Sequence, residues 1–236
     1  MARPHDVSTI AHATANVSTS ERLLRALETL HLKSQPTQQA ALLEYLSQLM
    51  RWNKTYNLTA IRDPDQALVQ HIFDSLSLVA PLSRVLSLNP TETPTIVDVG
   101  SGGGLPGVIL AIMLPSVRVT CVDAVEKKTM FVRQMAGVLA LQNLSAQHAR
   151  IETLEPLQST LVTSRAFASL RDFAQLAGPH VREGGYLVAM KGREPTEELT
   201  AVQAHTAWSA QAIEPLTVPE FEGQRCLVWM QRKGNT

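Results

Sequence analysis

The stretch Ile96–Leu110, IVDVGSGGGLPGVIL, sets five glycines and a proline between two aliphatic runs. TIVDVG, Thr95–Gly100, reads as a buried strand, and LPGVILAIML, from Leu105, as the start of a helix with Pro106 suited to its first turn. Gly100, Gly102, Gly103 and Gly104 make the turn between them. Glycine allows positive φ and carries no Cβ, so a ligand can approach the backbone amides at the helix N-terminus. In an open parallel sheet, ligands bind at the carboxyl ends of the strands. This stretch therefore places both the fold and a candidate site.

Downstream, short aliphatic runs alternate with helix-length stretches. VRVTCVD, LSAQHA, TLVTSRA and GYLVAMKG read as strands; EKKTMFVRQMAGVLALQ and RDFAQLAGPHV read as helices. Such alternation implies a doubly wound, mostly parallel α/β sheet with helices on both faces. FEGQRCLVWMQRK, with the run before it, reads as a closing strand pair.

Upstream, no strand pattern occurs. Ser18 and Glu21 have capping-box spacing ahead of Leu23, Leu24, Leu27 and Leu30. Pro36 opens a second amphipathic helix carrying Ala40, Leu43, Leu46, Leu49 and Met50. A third follows Asp63-Pro64 with Leu68, Ile72, Leu76 and Val79 and ends before Pro81. The expected organisation is a flexible N-terminus (1–17), a helical cap (18–86), a Pro/Thr-rich connection, and the sheet domain (95–236).

A 44% apolar and 18% charged composition is that of a globular chain. No apolar run reaches the roughly 18 residues that cross a bilayer, and the polar N-terminus has no signal-peptide core. Cys121 and Cys226 read as two buried free thiols, which suits a reducing cytoplasm. Zero formal net charge means that nucleic acid would have to use a local basic face.

Two cofactor classes compete for the glycine turn. Gly102-x-Gly104-x-x-Gly107 satisfies the dinucleotide fingerprint, and Asp123 is placed to hold a ribose in either case. Asp98 separates them. A carboxylate just before the turn sits badly with a pyrophosphate, but it tolerates the ammonium and sulfonium of S-adenosylmethionine. Asp98 would also cap the turn through backbone amides. Asp98-x-Gly100-x-Gly102-x-Gly104 is the usual signature of the S-adenosylmethionine-binding sheet.

MRWNKTYNLTAIRD (Met50–Asp63), HIFDSL, DVGSGGGLPG, TSRAFASL and MKG occur in that order. From about Leu42 to Lys191 the chain resembles the bacterial 16S rRNA guanine-N7 methyltransferases, also called glucose-inhibited division protein B. The resemblance implies a Rossmann-like class I methyltransferase fold with an N-terminal helical extension. It also implies S-adenosylmethionine as cofactor and a guanine N7 of 16S rRNA as acceptor. An assembled or partly assembled 30S subunit fits a chain of zero net charge better than naked RNA. Ala124 stands where many members carry serine.

Guanine N7 has an in-plane lone pair and needs no general base, so positioning and electrostatics carry the reaction. No catalytic acid, base or metal site is assigned. By strand ends, Gly100 and Leu105 should face the methionine part of the cofactor and Asp123 the ribose. Ile151 and Glu152 should lie against adenine, a pair to which the resemblance also points. Arg165 follows the fourth strand and faces the transfer pocket, unless it forms a surface ion pair with Asp172. Lys191 after the fifth strand is of the same kind. Arg51, Lys54 and Arg62 around Trp52 and Tyr56 suit RNA, while Trp52 and Leu58 equally suit docking of the cap. His71 reads as structural. The rival functions are a nicotinamide-dependent oxidoreductase and a non-catalytic RNA- or protein-binding module.

Overall fold

The computed structural model describes residues 17–87, 93–165, 167 and 169–234; the expected flexible N-terminus lies outside these except for Val17. Helix α1 (Thr19–Thr29) starts with the full capping box: Ser18 Oγ accepts from Glu21 N–H, and Glu21 accepts from Ser18 N–H. It buries Leu23, Ala26 and Leu27, while Leu24 faces solvent. Helix α2 (Pro36–Tyr56) has Pro36 in its first turn and ends where Asn57 turns left-handed. Its buried stripe is Leu42, Tyr45, Leu46, Leu49 and Asn53. Ala40 of the expected face is exposed, and Leu43 and Met50 are only half-buried. The stripe is rotated because Tyr45 turns inward to a hydrogen-bond partner described below.

The single helix expected after Pro64 is divided. α3 (Pro64–Ala67) runs into a π-helical segment (Leu68–Phe73), then α4 (Asp74–Leu76), and a turn leads to α5 (Val79–Leu86). Pro81 does not end a helix but lies in the first turn of α5, where a missing N–H breaks no helical bond. Arg22 ties α1 to α3 through Asp65, and to the segment before the last strand through Glu220 at 2.6 Å.

The sheet domain follows as β1 (Thr95–Val99), α6 (Gly107–Met113), β2 (Arg118–Asp123), α7 (Glu126–Val138), β3 (Leu144–His148), β4 (Ser159–Ser164), α8 (Leu170–Ala177), β5 (Val181–Lys191), α9 (Thr196–His205), β6 (Trp208–Pro215) and β7 (Cys226–Arg232). Strand order is β3-β2-β1-β4-β5-β7-β6, with β1 to β5 parallel and β7 antiparallel to both neighbours. The chain order reverses beside β1, so β1 and β4 flank the switch point at which open α/β sheets bind ligands.

Side-chain alternation divides the interior into two cores. Ile96, Val119, Cys121 and Leu161 point to the face covered by α6, α7 and the N-terminal helices. Val97, Val99, Val122 and Val162 point to the face covered by α8, with Phe173 and Ala177. Both cysteines are buried and free. No helix among the described residues is long and apolar enough to cross a membrane.

Candidate functional site

The glycine turn sits at the carboxyl end of β1, between two carboxylates that hold it by its amides. Asp98, fully buried, accepts from Gly107 N–H at 2.8 Å and so ties β1 to the start of α6. Asp123 accepts from Gly102 N–H and Val125 N–H, each at 2.8 Å. Neither acid is a solvated strand end; Asp123 is 6% exposed. Burial pushes Asp98 up to about 7, against the opposing pull of the Gly107 amide and the Arg165 charge.

The five glycines do two different jobs. A Cβ at Gly100 or Gly102 would meet nothing within 4 Å, so these two border open space. A Cβ at Gly103 would come within 2.9 Å of Leu49 Cδ1, one at Gly104 would collide with Val108, and one at Gly107 with Cys121 and Asp98. Those three are small because protein packs against them. Tyr45 Oη also donates to the Gly103 carbonyl at 2.7 Å, fixing α2 directly on the turn. Pro106 takes the N-cap position of α6 behind a cis Leu105–Pro106 peptide.

Of the residues expected to hold a cofactor, Gly100, Asp123, Ile151 and Glu152 line one pocket of about 280 Å³ at the strand ends, with Phe167 on its wall. Open space at Gly100 and Gly102 and an acid beside it fit a ribose-bearing cofactor, while the N–H groups of Gly100, Ser101, Gly102, Gly104 and Leu105 are already bonded within the protein. Leu105 is not part of this pocket. Its side chain is buried in the core and its N–H bonds the Ser101 carbonyl at 2.9 Å. Each Asp123 oxygen keeps a lone pair beyond its amide bond. We expect Asp123→Ala to weaken S-adenosylhomocysteine binding by about 1–3 kcal/mol. Asp123→Asn should be weakened less, because its amide oxygen still accepts, but not spared, because its NH2 group must face one of the two backbone N–H donors. Calorimetric titration reads this, and equal dissociation constants for all three proteins would remove Asp123 from the site.

Arg165 lines a second pocket, of about 360 Å³, beneath the helical cap. It is not paired with Asp172, whose N–H instead caps α8 through Ser169 Oγ. Arg165 Nη1 donates to the Gln70 carbonyl, 2.9 Å, and to Asp74 Oδ2, 3.3 Å. The other oxygen of Asp74 accepts from Arg225 Nε at 2.8 Å. The Asp74 side chain is only 4% exposed, so one buried carboxylate holds two guanidiniums. Asp74 and Arg225 were not among the expected site residues. The one sequence signal was a charge inside HIFDSL on an otherwise apolar helix.

His71 lies on the same wall and is structural, as its apolar setting suggested. A carbonyl only accepts, so Nδ1 carries the proton that faces the Gln70 oxygen at 3.1 Å, and Nε2 accepts from Thr59 Oγ1 at 2.8 Å. Burial, with the Arg165 charge second, lowers its pKa to about 4. The unfolded chain then binds a proton near pH 6.5 that the folded chain refuses until about pH 4. Stability from this group is complete above that window and is lost as pH falls through it, up to about 3 kcal/mol. Asp98 runs the opposite way over much of the same range, so the comparison must be between proteins. Urea midpoints should fall less steeply from pH 7 to pH 4.5 in His71→Gln than in the wild type, and parallel curves would contradict the assignment.

Lys191 Nζ is engaged by Glu198, at 2.8 Å and 3.0 Å. Trp52 packs on Tyr56 and on Phe131 of α7, at ring separations of 4.9 Å and 5.3 Å, and Leu58 is buried; this is the docking role. Arg51 and Lys54 are exposed beside it. Among the described residues, no group of three His, Cys, Asp or Glu is placed to hold a metal ion. A larger cavity, about 620 Å³, opens at the opposite ends of the strands between Gln38, Pro115 and Asn143, away from the glycine turn.

A family model described as GidB, rRNA small subunit methyltransferase G, matches residues 38–228. The chain is 61% identical over 218 residues to the ribosomal RNA small subunit methyltransferase G of Bordetella pertussis, covering 92% of this chain and 95% of the relative. It is 46% identical over 211 residues to the protein of that name from Leptothrix cholodnii, covering 89% and 94%. In fold it is similar to a SAM dependent methyltransferase from Aquifex aeolicus, with TM-score 0.52, 16% identity, and 71% and 97% of the two chains covered. It is likewise similar to a ribosomal protein L11 methylase from Lactobacillus delbrueckii, with TM-score 0.51, 14% identity, and 66% and 79% covered. At those identities the likeness speaks for the fold alone: the Rossmann-like sheet of class I methyltransferases.

Proposed function

Because the chain belongs to the rRNA small subunit methyltransferase G family, we propose that it transfers the methyl group of S-adenosylmethionine to N7 of one guanine in 16S rRNA. The observation that carries this reading is the pair of pockets at the carboxyl ends of the strands. One is bordered by Gly100 and Asp123, the other by Arg165 under the helical cap. The first takes the cofactor and the second admits the base. On this reading residues 18–86 are the cap over the acceptor and 95–236 the cofactor-binding domain.

Bound S-adenosylmethionine supplies an electrophilic methyl group. The chain supplies position and charge. Asp123 accepts from the ribose hydroxyls while its amide bonds keep the turn in register. Ile151 and Glu152 hold adenine, and Gly100 and the backbone at Leu105 border the methionine part. Arg165, oriented by Asp74 and Gln70, binds the cofactor carboxylate. The buried Asp98 carboxylate favours the cation by its field, and binding a cation would in turn favour its ionised form. N7 brings its own lone pair, so no proton has to be removed before attack. His71, held neutral by burial, is not needed as a base.

The substrate on this reading is 16S rRNA within a 30S subunit or an assembly intermediate, in the cytoplasm. Small subunits lacking the modification, incubated with tritiated S-adenosylmethionine, should take up one methyl per subunit at a base that becomes sensitive to the strand cleavage specific for 7-methylguanine. Label on another atom, or none, would overturn the proposal.

A further inference from the structure

The second pocket gathers basic side chains from beside three strands. Arg165, Lys191 and Arg225 converge on it, and the carboxylates that engage them are Asp74 and Glu198. Three cations against two anions leave one positive charge, and bound S-adenosylmethionine, whose ammonium and sulfonium outweigh its carboxylate, would add to that excess rather than cancel it. The three basic side chains are 17–23% exposed, so they sit in the mouth of the pocket rather than on open surface. Arg225 is also held in place: its Cζ lies 4.3 Å from the Phe221 ring centroid, Nε is on Asp74 and Nη1 on the Gln224 carbonyl. Its remaining N–H donors are therefore presented in a set direction beside Gly192, the residue after β5.

Position in the sheet separates this charge from the cofactor. The glycine turn is at the end of β1, Arg165 follows the neighbouring β4, and Lys191 and Arg225 stand at β5 and β7. At about 4.8 Å per strand, β5 is about 10 Å from β1 along the sheet. Resting on the function proposed above, this is the side from which the acceptor must come. We propose that Lys191 and Arg225, with Asp74 beneath them, form an oxyanion site that binds the RNA phosphodiester next to the guanine being methylated. A phosphodiester carries one negative charge, which offsets part of this excess, and Arg225 can meet two of its oxygens as a fork. Asp74 is then a positioning residue: it aims Arg165 at the cofactor and Arg225 at the RNA from one carboxylate.

The test is steady-state methylation of small subunits at several salt concentrations, with S-adenosylhomocysteine affinity measured in parallel. In Arg225→Gln we expect KM for subunits to rise at least about tenfold. The slope of log(kcat/KM) against log salt should become shallower by about 0.7–0.9, the value of one lost phosphate contact. Cofactor affinity should stay within about twofold. Arg225→Lys keeps the charge and should restore the slope but only part of KM. Lys191→Gln leaves the Asp74 pair untouched and should also flatten the slope, so it decides the matter if Arg225→Gln folds poorly. An unchanged slope in both variants overturns the inference, as does a matching loss of cofactor affinity, which would make the oxyanion the cofactor's own carboxylate. A wild-type protein that methylates no subunit would instead overturn the proposed function.

Discussion

Gly102→Val should lower the affinity for S-adenosylmethionine at least about 100-fold, while the protein still melts cooperatively. Two features of the turn act together. Gly102 has φ +58°, which a β-branched residue adopts only at a cost of about 1–3 kcal/mol. Its missing Cβ borders the open space into which the ligand must come. Its N–H is also the donor to Asp123 Oδ2, so any shift of the turn loosens the ribose acceptor as well. Gly137 provides the control. It lies inside α7 with open space where a Cβ would go, so Gly137→Ala should keep cofactor affinity and gain about 0.5–1 kcal/mol of stability. Titration calorimetry and thermal melts of both variants settle the question; wild-type affinity in Gly102→Val would mean that the ligand is elsewhere.

Arg165→Ala should have an effect of similar size on turnover. If Arg165 binds the cofactor carboxylate, dissociation constants for S-adenosylmethionine and its demethylated product should rise by a similar factor, of about 10 to 100, as expected for a charged hydrogen bond of about 1.5–3 kcal/mol. Arg165→Lys should rescue little, because a compact ammonium lacks the span and planar fork with which the guanidinium meets the Gln70 carbonyl and Asp74 on one side and a ligand on the other. Unchanged cofactor affinity with collapsed methyl transfer would move Arg165 to the RNA side, beside Arg225. Full activity with wild-type affinity would leave it as a tie between the cap and the sheet.

The parts of this protein that were legible beforehand are those decided by local pattern. Alternating β-branched residues, a glycine turn and an acid after the next strand depend on neighbours in sequence, and TIVDVG, VRVTCVD and the helix between them lie where those patterns put them. The glycines show the limit. Removing a Cβ looks the same in sequence whether it leaves open space, as at Gly100 and Gly102, or makes room for Leu49 and Val108, as at Gly103 and Gly104. The Asp74 hub was illegible for another reason. Its partners are 91 and 151 positions away, so nothing near it in the chain announces them. The same holds for Tyr45, whose inward turn is explained by a carbonyl 58 residues on. Lys191 and Arg225 meet only because β7 inserts beside β5.

The Tyr45 hydrogen bond and the Leu49 contact at Gly103 also bear on how the molecule comes apart. In many two-part enzymes a lid can be cut away and the nucleotide fold remains. Here the second helix is the back wall of the glycine turn: without it, Leu49 and Tyr45 vanish from behind Gly103, and its carbonyl loses its buried partner. The amides of the turn should then exchange their protons with water only through openings that also lift the cap. A fragment beginning at the first strand would keep every motif by which the site is recognised and still fail to hold the turn in shape.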